Sequence, residues 1–345
     1  EYKIYAFIFR GWMMWNWLIS ALASKATIFL YDGSPFFPNK ESIIQMADNE
    51  KINFLGVSAK YLDALRNEKF SAIDKFDLVN LKCILSTGSP LIKESFEYVY
   101  RNLKKNVHLA SISGGTDIVS CFVLGSPHLP VFSGEIQCKS LGVDVDIFDD
   151  DGKSTNEKGE LVCKSALPTM PIGFWNDEKK IKYIQSYYSK FKNVWTQGDF
   201  ANFTNNNGIV IYGRSDATLN PGGIRIGTAE IYRAVETLSE IIESIAVAQE
   251  WDNDIRIVLF VKLNEGKELS KELIKLIKDK IRAQTSVRHV PAKVIKILDI
   301  PKTKSGKIVE LSVRDIINGR APKNIGALEN PECLEEYENI EELKN

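Results

Sequence analysis

Between Ala26 and Asp117, short β-branched runs alternate with stretches of helical periodicity. The runs are ATIFLYDG from Ala26, INFLGVS from Ile52, LKCILSTGSP from Leu81 and VHLASISGGTD from Val107; helices are predicted from about Glu41, Ala59 and Leu91. Alternation of this kind predicts βαβ units in a mostly parallel sheet, hence an α/β fold. Two runs end in polar, glycine-bearing turns, Ser86–Pro90 and Ser113–Asp117. Open α/β sheets bind ligands outside the carboxyl ends of their strands, so a site is expected at these turns.

From Val131 to Arg214 the runs VFSGEIQ, VDVDIFDDDGK, GELVCK and GIVIYGR predict strands of a small antiparallel, barrel-like β-unit beside the sheet. Asp149–Gly152 reads as a tight turn, since its acidic run lacks the spaced ligands and closing Glu of a calcium loop. After Asp216 a second α/β arrangement is predicted: a helix from about Thr228 with Thr228 as its cap, the strand RIVLFVKL, a helix from about Ser270, the strand AKVIKIL, a lysine-rich turn and a last helix. The chain therefore divides into 1–215, a small separate α+β domain over 216–320, and an acidic, weakly patterned tail over 321–345 that hugs the surface.

Charge and cysteine content narrow the class. Across 345 residues, 44 Lys and Arg nearly balance 45 Asp and Glu, so no net field draws the protein to nucleic acid or an anionic membrane. Small-molecule partners are expected. Cys83, Cys121, Cys138, Cys163 and Cys333 form no CxxC pair, which argues against zinc and a disulfide framework and for a reducing compartment. The apolar stretch Trp12–Leu30 is broken by Asn16, Ser20, Ser24 and Lys25 and reads as buried helix and strand rather than a membrane span. Glu1–Arg10 has neither an initiator Met nor a signal-peptide pattern and reads as a cut or badly joined edge.

The motifs that could carry chemistry are few. PKTKSGK, Pro301–Lys307, lacks the leading Gly of a Walker loop and has Ile308 where Ser or Thr would hold magnesium. It is a solvated loop unless Lys307 presents a point charge to phosphate. TQGDF ends in Asp199–Phe200 and GRSD spans Gly213–Asp216. Singly they are a turn and a surface arginine; together, Asp199 and Arg214 can grip vicinal hydroxyls, one accepting and one donating. PGGIRIGTAEI lacks the GxGxxG order of a dinucleotide fold, and His108, His128 and His289 have no GxSxG partner for triad hydrolysis.

In order, SGGTD, TQGDF, GRSDATLNPGGIRIGTAEI and PKTKSGK resemble the successive signatures of the adenylate-forming superfamily of acyl-CoA synthetases. GWMMWNWL, YDGSPF, ILSTGSPL, SISGGTDI, GEIQ, GELVC, FWNDE and ALENPECLEEY are similar to the branch that uses acetoacetate, from Gly11 nearly to the end. The resemblance implies that 1–215 is the C-terminal part of a large adenylation domain and 216–320 a small mobile domain. It implies ATP, Mg2+ and coenzyme A, with a carboxylate attacking ATP to give an acyl-adenylate that the CoA thiol then takes up, in the cytosol and in lipid and ketone-body metabolism.

Carried over by motif, Gly88, Ser89 and Pro90 would border adenine, Asp199 would hold the ribose hydroxyls, and Arg214 and Arg225 the ribose and phosphates. Thr116 would contact the α-phosphate, Asp117 would help to hold magnesium, and Lys307 would neutralise charge as carboxylate meets phosphate. Asp216 would be the hinge, Gly223 would let pantetheine pass, and Arg282 would meet the CoA phosphates. Met13, Thr87 and Gly114 would wall the acyl pocket, with ordinary core packing equally open for Met13. Acetate-using relatives carry Trp where this chain has Gly114, so glycine is expected to leave volume for a four-carbon 3-oxo acid such as acetoacetate. The family's Gly- and Ser/Thr-rich phosphate loop is expected upstream of Gly11, so the chain alone is expected to be inactive. Another short carboxylate, or nucleotide or CoA binding without catalysis, stays open as an alternative.

Overall fold

The structure is a computed structural model that describes residues 2–6, 13–252, 254–304, 306–323 and 325–345. Most of the stretch before Met13, including Gly11 and Trp12, and Ser305 of the lysine-rich turn lie outside the described residues. The chain divides into two compact units, Glu1–Ile211 and Tyr212–Asn345.

The first unit is built on a five-stranded, wholly parallel sheet of β1 (Lys3–Ala6), β2 (Thr27–Phe29), β3 (Phe54–Ser58), β4 (Cys83–Thr87) and β5 (His108–Ser111), in the order β2-β1-β3-β4-β5. The strand Lys3–Ala6 was not expected; it lies inside the sheet, where Gly56 of β3 lets the two backbones approach, an added Cβ falling 2.9 Å from that of Ala6. The helices are α1 (Met13–Ser20), α2 (Ser42–Asn49), α3 (Ala59–Asn67) and α4 (Lys93–Tyr98). Their apolar positions recur at helical spacing: Ile43, Ile44 and Ala47 of α2, then Leu62 and Leu65 of α3, pack with Leu55, Ile84 and Leu109 of the strands. Ser58 starts α3 by accepting from Tyr61 N at 3.1 Å, satisfying a backbone donor at the helix start.

The predicted run from Val107 splits in two. β5 stays in the parallel sheet, while β6 (Ser113–Gly115) joins β7 (Ser120–Leu124) and β8 (Cys138–Lys139) in an antiparallel sheet. A second small sheet contains β9 (Val145–Phe148), β10 (Gly159–Cys163), β11 (Trp195–Phe203) and β12 (Ile209–Arg214), flanked by α5 (Ile181–Tyr187). The strand expected at VFSGEIQ is absent: Phe132–Glu135 is a turn with Gly134 at φ +87°, and only Ile136 bridges, to Ile209.

The second unit has α6 (Thr228–Val235), β13 (Ile241–Trp251), β14 (Asp254–Leu263), α7 (Lys271–Gln284), β15 (Lys293–Ile297) and α8 (Glu310–Ile317). β14 is central, antiparallel to β13 and parallel to β15. Its unbroken apolar run has a physical reason, because both faces are covered. Ile257, Leu259 and Val261 pack with Ile231, Val235, Ile277 and Ile281 of α6 and α7. Val258 and Phe260 pack with Val313 of α8 and with Tyr337 and Leu343. The expected surface-hugging tail thus supplies core residues, Tyr337 being only 1% exposed. Thr228 is not the cap expected of it: Gly227 holds that place, and Glu230 closes the helix start by accepting from Gly227 N at 3.1 Å.

Candidate active site

In the first unit the two glycine-bearing turns leave neighbouring strand ends. Ser86 of β4 is in register with Ser111 of β5, and Ile112 N donates to Ser86 O at 2.9 Å. Thr87 ends β4, and Gly88, at φ +91°, turns the chain through Ser89 and Pro90 toward α4. These residues are half-buried at the carboxyl edge of the parallel sheet, the place such sheets offer to ligands.

The hairpin between β6 and β7 presents Thr116 and Asp117, both exposed, and closes with Val119 N donating to Thr116 O. Its position is set from β11. Gln197 Nε2 donates to Gly114 O at 3.1 Å while Gln197 Oε1 accepts from Trp195 Nε1 at 3.1 Å. Ser113 Oγ donates to Asp199 Oδ2 at 3.3 Å, and Asp199 is 7% exposed. Asp117 accepts from the Tyr187 hydroxyl of α5, whose ring stacks on Trp195 at 3.6 Å. The structure therefore brings SGGTD and TQGDF together, through Ser113, Gln197 and Tyr187, none of which the sequence reading singled out.

A register slip in β11 makes this reach possible. Glu160 opposes Phe200 but Val162 opposes Thr196, so Leu161 faces a three-residue bulge over Gln197–Asp199, with Gly198 at φ +80°. A positive φ of that kind suits glycine, and bulges re-aim side chains.

The structure bears on two of the residues considered for the acyl pocket. Met13 is buried with Ala6, Met14 and Leu18 as local core. Gly114 does not face open volume: a Cβ there would lie 2.1 Å from Ser120 O and 2.7 Å from Cys121 Cα. That space is filled by β7 backbone, so glycine at 114 is required by the close approach of two strands.

In the second unit Arg214 is exposed and pairs with Asp216, its Nε and Nη2 donating to the two carboxylate oxygens at 3.4 Å. Arg314 Nη1 donates to Asp216 O at 3.1 Å, tying α8 to the expected hinge residue. The PGG turn is closed by the Leu219–Ile226 bridge and held by Asp254, which accepts from Gly222 N at 2.9 Å. Gly223 ends that turn, and Arg225 follows it, half-buried. Arg282 is exposed in the last turn of α7 and ion-paired with Asp279 at 2.8 Å.

Lys307 lies exposed on the return limb of a hairpin, with Gly306 at φ +79° beside it. Three residues on, Glu310 accepts from Thr228 Oγ1 at 3.2 Å and from the Tyr232 hydroxyl at 3.1 Å. Desolvation raises the Glu310 pKa above the ordinary carboxylate value. The same cause pushes Tyr232 far above the usual phenol range. Nothing in the sequence pattern marked Glu310, because its partners lie about 80 residues upstream.

No protein-family model matches the chain. Acetoacetyl-coenzyme A synthetase of Rhizobium meliloti is 54% identical over 344 residues, 99% of this chain and 53% of that protein. Acetoacetyl-CoA synthetase of Xenopus tropicalis is 46% identical over 97% of this chain and 50% of its own length. Among solved structures, acetoacetyl-CoA synthetase from Streptomyces lividans superposes with a TM-score of 0.91 at 38% identity, covering 100% of this chain and 53% of that one. An anthranilate CoA ligase in complex with anthranoyl-AMP shares the fold at 19% identity, with a TM-score of 0.74 over 89% of this chain and 57% of its own. The chain spans about half the length of the curated relatives it matches, which fits the expected C-terminal part. In sequence and in its mixed α/β fold, the chain is similar to acetoacetyl-CoA synthetases over that half.

Proposed function

We propose that the protein containing this chain ligates acetoacetate to coenzyme A at the expense of ATP. The acetoacetate carboxylate attacks the α-phosphorus of ATP, pyrophosphate leaves, and the CoA thiol then takes the acyl group with release of AMP. The observation that carries the reading is the 54% identity to an acetoacetyl-coenzyme A synthetase across 99% of the chain. Geometry adds support, since Asp199 and the Thr116–Asp117 turn, expected to hold ribose and phosphate, are tied by Ser113 and Gln197.

In this reading Gly88–Pro90 border the adenine, Asp199 accepts from the ribose hydroxyls, Thr116 donates to the α-phosphate, and Arg214 and Arg225 meet the nucleotide. Thr87 lies toward the acyl group, and Gly223 and Arg282 toward CoA. The two units act as the large and the mobile domain, with Asp216 the hinge whose few dihedrals absorb the rotation. Asp117 is exposed at the turn, one of its oxygens accepting from the Tyr187 hydroxyl. An exposed carboxylate of this kind suits Mg2+, which one or two carboxylates hold together with substrate phosphates and which would supply charge neutralisation there. The five free thiols support a cytosolic setting, and no helix among the described residues is long and apolar enough to cross a membrane.

The test is ATP–pyrophosphate exchange by the full-length protein with acetate, acetoacetate, 3-hydroxybutyrate and butyrate in turn. Acetoacetate is expected to be preferred; a preference for acetate refutes the substrate assignment. Lys307→Ala should lower the exchange at least about 10²-fold, as removal of a preorganised charge donor does, with much less effect on thioester formation from a preformed adenylate.

A further inference from the structure

The Lys307 hairpin is not a two-stranded element. Its own ladder is short: Thr303 N donates to Lys307 O at 2.8 Å, Val309 N to Pro301 O at 3.0 Å, and Lys302 bridges Ile308. Two-stranded hairpins are marginal in water. On the opposite edge of the outer limb lies the C-terminal segment. Thr303 bridges Leu328 antiparallel, Glu329 N donates to Lys302 O at 2.8 Å, and Lys304 N donates to Ala327 O at 3.4 Å.

Asn330 locks the joint. Its Oδ1 accepts from Lys302 N at 3.0 Å, and its Nδ2 donates to Ile300 O at 2.9 Å and to Asp299 Oδ2 at 2.5 Å. Asp299 is itself held by Lys262 Nζ at 2.6 Å. The segment is anchored in the core behind the hairpin. Leu328, Cys333, Leu334 and Tyr337 are all buried, and the Tyr337 hydroxyl donates to Asp299 O at 2.9 Å.

We propose that Ala327–Tyr337 is a positioning element for the adenylation step, forming the third limb that fixes the hairpin carrying Lys307, with Asn330 as its principal positioning residue. The inference rests on the reading of Lys307 given above. A cation on a loose hairpin spends much of its time away from the reacting phosphate, and small misplacements cost large factors in rate. The step that does not use Lys307 should be indifferent to the brace.

The experiment uses the full-length protein with Asn330→Ala and, separately, Glu329→Pro, which removes the donor to Lys302 O at a position whose side chain is exposed and whose preceding residue, Leu328, is already in an extended bridge. Three quantities are read: kcat and KM of pyrophosphate exchange, thioester formation from a preformed adenylate, and amide hydrogen exchange of the 301–309 peptide. Both variants should lower kcat for pyrophosphate exchange about 10-fold, with KM and thioester formation within about twofold, and speed hairpin amide exchange about 10-fold. Peptides of β14 should keep their protection, which shows the fold intact. In a Lys307→Ala background, Asn330→Ala should add no further loss. Unchanged hairpin amides, or equal losses in both half-reactions with β14 still protected, would overturn the brace. Retention of pyrophosphate exchange by Lys307→Ala would instead refute the reading of Lys307, while the amide data still decide whether the brace exists.

Discussion

Gly114→Ala separates two accounts of one glycine. If the position opens onto a substrate pocket, an added methyl should fold normally and change only acyl preference. The geometry requires otherwise. The new Cβ would sit 2.1 Å from Ser120 O and 2.7 Å from Cys121 Cα, both main-chain atoms of β7 that no side-chain rotation can move aside. β6 must then shift, and with it the Gln197 Nε2 bond to Gly114 O and the Ser113 bond to Asp199. Overpacking typically costs about 1–3 kcal/mol, and loss of one buried hydrogen bond adds about 1 kcal/mol. A total near 3 kcal/mol lowers the melting temperature of a domain this size by roughly 6–12 °C. Thermal and denaturant unfolding measure this directly. Gly326→Ala serves as the control, because nothing lies within 4 Å of its added Cβ; its effect should stay within about 0.5 kcal/mol. A Gly114→Ala protein as stable as the control, with altered acyl preference, would restore the open-pocket account.

Two further outcomes can be checked by unfolding. The Glu310 pKa is raised above its unfolded value by desolvation, so the ionised form costs stability above the folded pKa and nothing below the unfolded one. Glu310→Gln keeps an acceptor for Thr228 and Tyr232, so it should be more stable than the parent at pH 8, with the gap closing toward pH values below about 4.3; a parent more stable at pH 8 refutes this. Gln137→Leu removes a side chain whose Nε2 donates to Ser126 O and Leu129 O and whose Oε1 accepts from Ser126 N and His108 Nε2. It should cost about 2 kcal/mol and raise protease sensitivity at 126–130; unchanged cleavage there would show the loop is held by other means.

What could be read from the sequence was what repeats locally. RIVLFVKL announced a strand because both faces of β14 are apolar, and Ser270 announced α7 because its hydroxyl accepts from Leu273 N at 3.2 Å. IIESIAVAQEW did not announce β13, since Glu243, Ser244 and Gln249 interrupt the run. Those three are buried and satisfied by partners outside the run: Glu243 by Lys302 and Gln249 by Leu343 O from far along the chain, and Ser244 by Glu236 of the preceding turn. Periodicity has no access to such partners. The site motifs were legible as residue types, whereas the contacts that orient them, such as Ser113 to Asp199 across 86 residues, exist only once β6 has left the parallel sheet.

The candidate residues of the first unit and those of the second are held by different means, and this decides how each should respond to mutation. In the first unit, orientation comes from single side-chain bonds between sheets, with Gln197 and Asp199 delivered by the Gly198 bulge. Any change there that moves the backbone is felt by fold and site together. In the second unit Lys307 is exposed on a hairpin whose order comes from backbone bonds and from Asn330 behind it. Lys307→Ala leaves those backbone bonds and Asn330 in place, so pyrophosphate exchange should fall by far more than stability, which should change by less than about 1 kcal/mol. A Lys307→Ala protein that lost several degrees of stability would mean that the ammonium group itself helps to hold the hairpin, and that its charge is committed to structure before any nucleotide arrives.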